Sequence, residues 1–194
     1  MIKRRYTFNN NKITATLKDS SGYYLWIAYL GSGGSCILKK VSAFNPKVIY
    51  FNLTISVDII KRIKQDSTYI YLAVDSSSYV GVKISKTNPL SSITYISKPE
   101  GVTEPSIDLA VGSTYLYLLF AGEMSATTAK VLKYNKTSLA LASTITLDGS
   151  AGDIYNARTI TIDGNGIVWI ATYENPIKLI KLETDDSYEY WEIL

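Results

Sequence analysis

The chain has 194 residues, of which 46% are hydrophobic and 19% are charged, and its formal net charge is +3. This composition is sufficient for one sizeable core and excludes a chain that is disordered throughout. No segment approaches the run of about 18 apolar residues that spans a bilayer, and no apolar segment follows the basic N-terminus, as it would in a signal peptide. We therefore expect no membrane insertion and no signal sequence, and the compartment stays unknown.

The sequence contains no histidine and a single cysteine, Cys36. These two facts exclude histidine-based general bases, Ser–His triads, histidine-ligated metals, intramolecular disulfides and thiolate metal clusters. Cys36 begins the strand-like segment CILKKV, and we expect it to be a small residue of the core or the sheet. No cofactor and no metal are predicted.

Four short aromatic segments repeat along the chain. In chain order they are YYLWIAY, TYIYLAV, TYLYLLF and GIVWIAT, and their aligned aromatic residues are Trp26, Tyr71, Tyr117 and Trp169. The spacings between these residues are 45, 46 and 52. A period of about 45 to 50 residues is typical of propeller blades.

Other segments recur around each aromatic run in the same order. An alternating run precedes it and ends in a polar or glycine turn, a lysine-bearing run follows it, and a fourth run completes the unit. Alternation with a period of two, interrupted by turn residues, predicts four antiparallel strands, a to d, in each unit. The predicted units are about 12–53, 57–97, 106–148 and 158–194, within a single domain at 1–194.

The segment TIDGNGIVWIAT and, less closely, KDSSGYYLWIAY resemble the blade repeats of NHL-like and two-component-regulator-type β-propellers. In those families, an aspartate and a glycine of the turn precede a strand that contains tryptophan. The second and third units carry Tyr71 and Tyr117 in place of this tryptophan. The resemblance implies an all-β, propeller-like fold with four blades of four antiparallel strands. It implies little about function, because propellers have many functions.

Four blades can close in several ways. The favoured interpretation is a closed four-bladed monomer. The alternatives are one half of an eight-bladed ring completed by a homodimer, and an open array that exposes apolar faces at its ends. The leading segment 2–8 is expected either to extend the edge of the last blade or to form a mobile arm.

By the resemblance, the b–c and d–a loops share one face around the central channel, which we call the loop face. Long loops on a rigid scaffold commonly contain the residues that bind, and the longest loops lie in units two to four. The predicted ligand-binding residues on this face are Glu100, Glu104, Glu123, Asp153, Tyr155, Asn156, Arg158, Tyr173 and Glu174. Ordinary solvated loop polarity is the alternative explanation.

Two groups of basic residues have separate interpretations. Arg158 begins strand a of the fourth unit and is expected to face the channel, in a structural ion pair or at a bound anion. Lys61, Arg62 and Lys64 are interspersed with isoleucines in one predicted strand. This pattern indicates that the basic side chains lie on the solvent-facing side of the strand. The net charge is too low to predict specific nucleic-acid binding.

The favoured function is a non-enzymatic binding or assembly module for a protein or glycan partner. The low charge and the abundance of Tyr and Thr also suit a viral or cell-surface structural component. One alternative is a carbohydrate-binding lectin that uses tyrosine rings and Asp or Asn side chains of the loops. Another is a glycoside hydrolase, which would need two carboxylates about 5 to 10 Å apart.

Overall fold

The computed structural model describes residues 12–33, 35–121, 128–148, 154–173 and 175–193. All regular structure in these residues is β-strand, and sixteen strands form four sheets. Each sheet contains four consecutive strands, and each strand is antiparallel to its neighbours. The prediction of an all-β, propeller-like fold with four blades is confirmed, and we number the blades one to four in chain order.

The strand bounds are as follows. The first blade contains β1 Ile13–Lys18, β2 Tyr24–Leu30, β3 Cys36–Ser42 and β4 Ile49–Ile55. The second contains β5 Ile59–Gln65, β6 Tyr69–Asp75, β7 Tyr79–Ser85 and β8 Ile93–Ser97. The third contains β9 Ser106–Val111, β10 Tyr115–Phe120, β11 Lys130–Asn135 and β12 Leu141–Thr146. The fourth contains β13 Ala157–Ile162, β14 Val168–Thr172, β15 Ile177–Leu182 and β16 Tyr188–Ile193. That the whole chain is one domain stays a prediction, and segment 2–8 lies outside the described residues.

The first hairpin of the fourth blade is built around Asp163. Its Oδ1 accepts hydrogen bonds from the backbone N–H groups of Asn165 and Ile167, at 2.9 and 3.0 Å. Its Oδ2 accepts the indole N–H of Trp169 at 3.1 Å. Gly166 has a φ of 84°, a left-handed conformation that glycine adopts without steric strain. The aspartate, the glycine and the tryptophan of the repeat are therefore parts of one local structure.

The second blade builds the same structure with tyrosine. Asp66 Oδ1 accepts the backbone N–H groups of Thr68 and Tyr69, and Asp66 Oδ2 accepts the Tyr71 hydroxyl at 3.0 Å. Burial raises the pKa of Tyr71, and the bond to Asp66 raises it further. Tyrosine can thus replace tryptophan because either side chain donates one hydrogen bond from the end of an aromatic ring.

Each blade also places a lysine of its third strand directly across from the aligned aromatic residue. These cross-strand pairs are Trp26–Lys40, Tyr71–Lys83, Tyr117–Lys133 and Trp169–Lys181. In blades one to three, the ammonium lies 4.1, 4.2 and 4.7 Å from the ring centroid of the tyrosine two residues before the aligned aromatic residue. In the fourth blade Ile167 takes the place of that tyrosine, and Lys181 pairs with Glu183 instead. In blades one to three, the recurring lysine therefore packs on an aromatic ring, and Lys133 is buried there.

Three apolar clusters hold neighbouring blades together, one for each of the three joints between consecutive blades. Each cluster contains residues of both blades, for example Trp26 with Ile63, Tyr71 with Leu118, and Val131 with Ile170. Cys36 lies in the first cluster, fully buried, and burial raises the pKa of its thiol. Its predicted place in the core is therefore confirmed.

The favoured interpretation of a closed four-bladed ring does not agree with this packing. The innermost strands pack β1 on β5, β5 on β9 and β9 on β13. Among the described residues, no comparable packing joins β13 to β1, and no apolar cluster joins the fourth blade to the first. Repetition in the sequence sets the number of blades, whereas the angle between blades depends on the side-chain volume at each joint. The four blades therefore form an open arc.

Candidate binding surface

The four innermost strands share an irregularity close to the loop face. Each innermost strand pairs with the second strand of its own blade. The register of this pairing shifts near the start of the innermost strand and leaves one extra residue there. The extra residues are Thr14, Lys61, Ile107 and Arg158. A bulge of this kind bends the strand and redirects the neighbouring side chains. The sequence predicts Arg158 at the channel, and the structure places its exposed side chain at the bulge of the fourth blade.

The residue after each bulge occupies an equivalent position in every blade. In three of the blades these residues form one polar network around Asp108, whose side chain is only 2% exposed. Asp108 Oδ1 accepts Arg62 Nε–H at 3.1 Å, and Oδ2 accepts the Thr159 hydroxyl at 2.7 Å and the Ile160 N–H at 3.1 Å. Its backbone neighbour Leu109 donates a fourth bond. One buried carboxylate therefore links the second, third and fourth blades.

Sequence reasoning missed this network. Arg62 is partly solvent-facing, as predicted, with 48% of its side chain exposed, but its Nε is committed to Asp108. Lys61 pairs with Asp75 at 3.1 Å. A useful signal was present in the segment SIDLAV, where an aspartate interrupts an apolar strand. A carboxylate buried in this way requires a cation or several donors, and alignment of the units places Arg62 at the equivalent position.

The first blade departs from this pattern. Its equivalent residue is Ala15, which is buried and apolar. A groove of about 220 Å³ lies beside it, lined by the start of β1 and by Lys61 and Arg62. The hydroxyl of Thr14 is buried there without a hydrogen-bond partner. The joint between the first two blades therefore depends on apolar packing, without a carboxylate at the position of Asp108.

The loop face brings two of the predicted binding residues together. The backbone N–H of Tyr173 donates to the carbonyl of Asn156 at 2.9 Å, which joins the start of the β14–β15 loop to the segment before β13. Asn156 has a left-handed φ of 51°. The side chain of Tyr173 is 76% exposed. The neighbouring Tyr155 is half-buried and has an interaction partner. Tyr173 thus has an exposed ring, and a hydrogen bond to Asn156 holds its backbone in place.

Two of the other predicted residues lie on the connection between the second and third blades. Glu100 is exposed beside Gly101 in the β8–β9 connection, which is one blade earlier than Tyr173. Glu104 follows in the same connection, half-buried and with an interaction partner. Glu123, Asp153 and Glu174 lie outside the described residues. The predicted set of ligand-binding residues is therefore described only in part, and its use as a binding surface stays a prediction.

Large apolar side chains are exposed mainly on the two end blades. The structure exposes twelve of them among the described residues. On the first blade these are Ile13, Tyr23, Phe44, Val48, Ile49 and Tyr50. On the fourth blade they are Tyr173, Ile177, Trp191 and Ile193. The second and third blades contribute only Leu90 and Leu141. Exposed apolar surface that is concentrated in this way commonly marks an interaction site.

Two further findings concern only the described part of the chain. No group of three or more His, Cys, Asp or Glu side chains there is placed to hold a metal ion. No helix there has the length and apolar character to cross a membrane.

Comparison with known proteins supports the fold and leaves the family open. No protein-family model matches the sequence, and no curated protein gives a significant match. The solved structure of U3-55K matches with a TM-score of 0.68 and 11% identity, over 96% of this chain and 53% of that one. The Pan2 WD40 domain of Neurospora crassa matches with a TM-score of 0.66 and 9% identity, over 95% of this chain and 51% of that one.

A third similar structure is the extracellular domain of the two-component system protein BT4673 from B. thetaiotaomicron. It matches with a TM-score of 0.57 and 14% identity, over 96% of this chain and 22% of that chain. At these identities the likeness shows the fold alone, and the fold is that of a β-propeller. This chain spans about half the length of the first two structures.

Proposed function

We propose that this protein is a non-enzymatic module that binds a protein partner through its loop face. The observation that carries the proposal is Tyr173, whose side chain is the most exposed of the large apolar side chains that the structure describes. Its backbone is held by the hydrogen bond to Asn156. Rigidly presented tyrosines are frequent anchors in protein interfaces, because they bury much apolar area at a small entropic cost and retain a polar tip.

The scaffold beneath this loop supports the same proposal. The Asp108 network and the apolar cluster between the third and fourth blades hold β13 and β14 firmly. A partner that contacts Tyr173 and Arg158 would therefore meet a preorganised surface, which lowers the entropic cost of binding. Glu100 lies on the neighbouring connection and would lie at the edge of such a contact.

The experiment compares three immobilised proteins in quantitative affinity capture from a cell extract. They are the unmodified chain, Tyr173→Ala, and Tyr23→Ala as a matched control, since Tyr23 is 60% exposed but lies in the β1–β2 turn at the opposite end of the sheet. A protein that Tyr23→Ala retains and Tyr173→Ala loses supports the proposal. Equal capture by all three chains would contradict it.

A glycan partner is the second candidate, because an exposed tyrosine beside an asparagine can stack on a sugar ring and bind its hydroxyl groups. A glycan array with the same variants tests it. Binding to a glycan that Tyr173→Ala abolishes, without turnover, would replace the protein proposal with the lectin. Release of product from the bound glycan would favour the hydrolase. A viral or surface structural role rests on composition and stays a prediction.

A further inference from the structure

We propose that the groove between the second and third blades binds an extended, mainly apolar peptide segment of a partner protein, which pairs with the free edge of β8. This inference does not depend on the proposed function of the loop face, because it concerns a different surface. The groove lies between the two central blades, each of which has a packed neighbour on both sides.

The groove has a volume of about 430 Å³, which is within the usual range of ligand sites, about 300 to 1,000 Å³. One wall consists of residues 94–99, which include most of β8. The opposite wall comes from β11, the β11–β12 turn and the start of β12, and its residues are Tyr134, Ser138, Leu139 and Leu141. The groove is therefore bounded by a strand of one blade and a turn of the next.

The groove runs along the edge of β8 rather than over one of its faces. Side chains of consecutive strand residues point to opposite faces. Ile96 accordingly belongs to the cluster toward the third blade, and Tyr95 packs on the cluster toward the first. Residues of both faces nevertheless line the one groove. Because both faces of a strand meet only at its edge, the groove borders the backbone of β8.

The backbone on this edge is free to pair with another strand. β8 is the last strand of its sheet, and no other described strand pairs with its outer side. On the inner side, the N–H of Lys98 donates to the carbonyl of Ser78 at 2.9 Å. Backbone groups of successive residues point alternately to the two sides of a strand, so those of Tyr95 and Ser97 point outward. An extended peptide matches this spacing of donors and acceptors.

The opposite wall is apolar and contains a leucine in a strained conformation. Leu141 is 43% exposed, and Leu139 is half-buried. Leu139 has a left-handed φ of 58°, which is costly for a bulky side chain and is frequent at ligand-binding positions. Part of its side chain packs on the cluster between the blades, and it also lines the groove. Side chains of a bound peptide would bury the exposed part of this wall.

The equivalent groove between the third and fourth blades shows what is particular to this one. It has a volume of about 570 Å³ and lies between β12 and the β15–β16 turn. Asp186 corresponds there to Leu139, since each precedes the residue whose carbonyl closes its turn. Asp186 also has a left-handed φ, of 69°, and aspartate tolerates this conformation better than leucine does. The leucine is therefore not required by the turn itself.

The charges of the two grooves also differ. Asp148 and Asp186 line the groove between the third and fourth blades. The groove between the second and third blades has Lys98 and no carboxylate among its described lining residues. We therefore expect its peptide to have apolar residues at alternate positions and an acidic residue near Lys98.

The first experiment selects peptides from a display library of seven random residues on the unmodified chain, with Leu139→Asn as the matched control. Asparagine tolerates a left-handed φ, so this variant is expected to keep its urea midpoint while it loses part of the apolar wall. The selected peptides are expected to bind it about tenfold or more weakly. A selection that yields no peptide with this preference would overturn the proposal.

Methylation of the peptide's backbone nitrogens tests the pairing with β8. In a paired strand only every second N–H faces the neighbouring strand. Methyl groups at one set of alternate positions are therefore expected to abolish binding, and methyl groups at the positions between them to have little effect. Equal effects at all positions would show that the peptide does not pair with a strand edge, and would overturn the proposal.

Proline substitutions test the edge from the side of the protein. Ser97→Pro removes an outward N–H of β8 and leaves the bonds to β7 in place. Thr146→Pro is the matched control on β12, because the N–H of the next residue, Leu147, donates inward to Ala129. Only Ser97→Pro is expected to lose the peptide, and equal binding by the two variants would contradict the assigned edge. If Ser97→Pro has a much lower urea midpoint, Leu139→Asn and the methylated peptides decide.

Two further measurements identify a different occupant or a different site. Tyr173→Ala is expected to bind the selected peptides as the unmodified chain does, and a loss of binding would place them on the loop face and overturn the proposal. A synthetic peptide of residues 2–8 is expected to bind more weakly than the selected peptides. Tighter binding by that peptide would assign the groove to this chain's own segment and would exclude the proposed partner.

Discussion

The central and the end blades are built from the same unit but differ in what covers them. The second and third blades each have a packed neighbour on both sides, and they expose only Leu90 and Leu141 among their large apolar residues in the described part of the chain. The first and fourth blades have one neighbour each and expose ten such residues. A blade can therefore complete its four strands locally, while the exposure of its apolar residues depends on whether another blade packs against it.

Local structure does not account for this difference. The aspartate of the first turn binds the aligned aromatic residue in the second blade, which is central, and in the fourth blade, which is at the end. The inner-strand bulge occurs in all four blades. Asp108 links the inner strands of the second, third and fourth blades, so it distinguishes the second and third joints from the first joint. Its counterpart in the first blade is Ala15. The difference between blades thus comes from contacts between units.

Among the polar contacts, the largest expected effect is that of Asp108→Ala. The substitution removes the carboxylate that Arg62, Thr159 and Ile160 bind, and it leaves the buried Ile160 N–H without an acceptor. We expect a loss of about 3 kcal/mol or more in the free energy of unfolding, measured by urea titration. Asp148→Ala, at an exposed aspartate after β12, is the control and should cost little. A cost of Asp108→Ala below about 1 kcal/mol would contradict the network's role at the second and third joints.

Two tyrosines in the cluster between the second and third blades test what one hydrogen bond contributes to a joint. Tyr71 and Tyr134 are both buried there, but only Tyr71 has a hydrogen bond from its hydroxyl group. Burial alone raises the pKa of Tyr134 to about 12. Tyr71→Phe is expected to cost about 1 kcal/mol in stability, and Tyr134→Phe close to nothing, because its hydroxyl is unpartnered. Thermal unfolding of both variants measures this, and equal costs would contradict the assigned bond.

The turn aspartates predict a dependence of stability on pH. Burial acts to raise the pKa of Asp66, but hydrogen bonds from the N–H groups of Tyr69 and Thr68, from the Tyr71 hydroxyl and from Lys136 outweigh burial and lower it. A carboxyl whose pKa is lower in the folded state stabilises the fold above its unfolded pKa, and this contribution is lost as the pH falls through the folded pKa. We therefore expect stability to decrease below about pH 4.

The control for this pH effect is Asp66→Asn. The variant is expected to be less stable than the unmodified chain at pH 7, and its urea midpoint should vary less between neutral and acidic pH. If the midpoints of both proteins fell in parallel on acidification, the pH dependence would have to arise from other carboxyl groups. Asp163 is one such group, because its bond from Trp169 also lowers its pKa.

The smallest expected effect on stability is that of Tyr173→Ala on the fourth blade. Because the side chain is 76% exposed, its removal should change the free energy of unfolding by no more than about 0.5 kcal/mol. Phe120 ends the second strand of the third blade and is 2% exposed, so Phe120→Ala should cost about 3 to 5 kcal/mol. Urea titration of both variants measures the contrast. Similar costs would show that the loop carrying Tyr173 supports the fold.

Much of the fold could be predicted because it arises from short-range rules. Alternation with a period of two predicts strands, and the aspartate and glycine of the β13–β14 turn predict its hairpin, since they satisfy and bend the backbone within a few residues. The candidate site was harder to predict. Among the predicted loop residues that the structure describes, a backbone hydrogen bond joins Tyr173 to Asn156. The binding surface as a whole stays a prediction, because contacts between loops depend on how the strands beneath them are placed.

The sequence by itself determined the repeat, the four strands of each blade and the aromatic residue at the centre of each sheet. These depend on interactions within about 50 residues, which recur in every unit. Only the tertiary structure decided that Arg62, Asp108 and Thr159 meet, and that the described residues of the fourth blade do not pack closely on the first. Both outcomes depend on the angle between blades. That angle follows from side-chain packing at each joint, and no single repeat contains both sides of a joint.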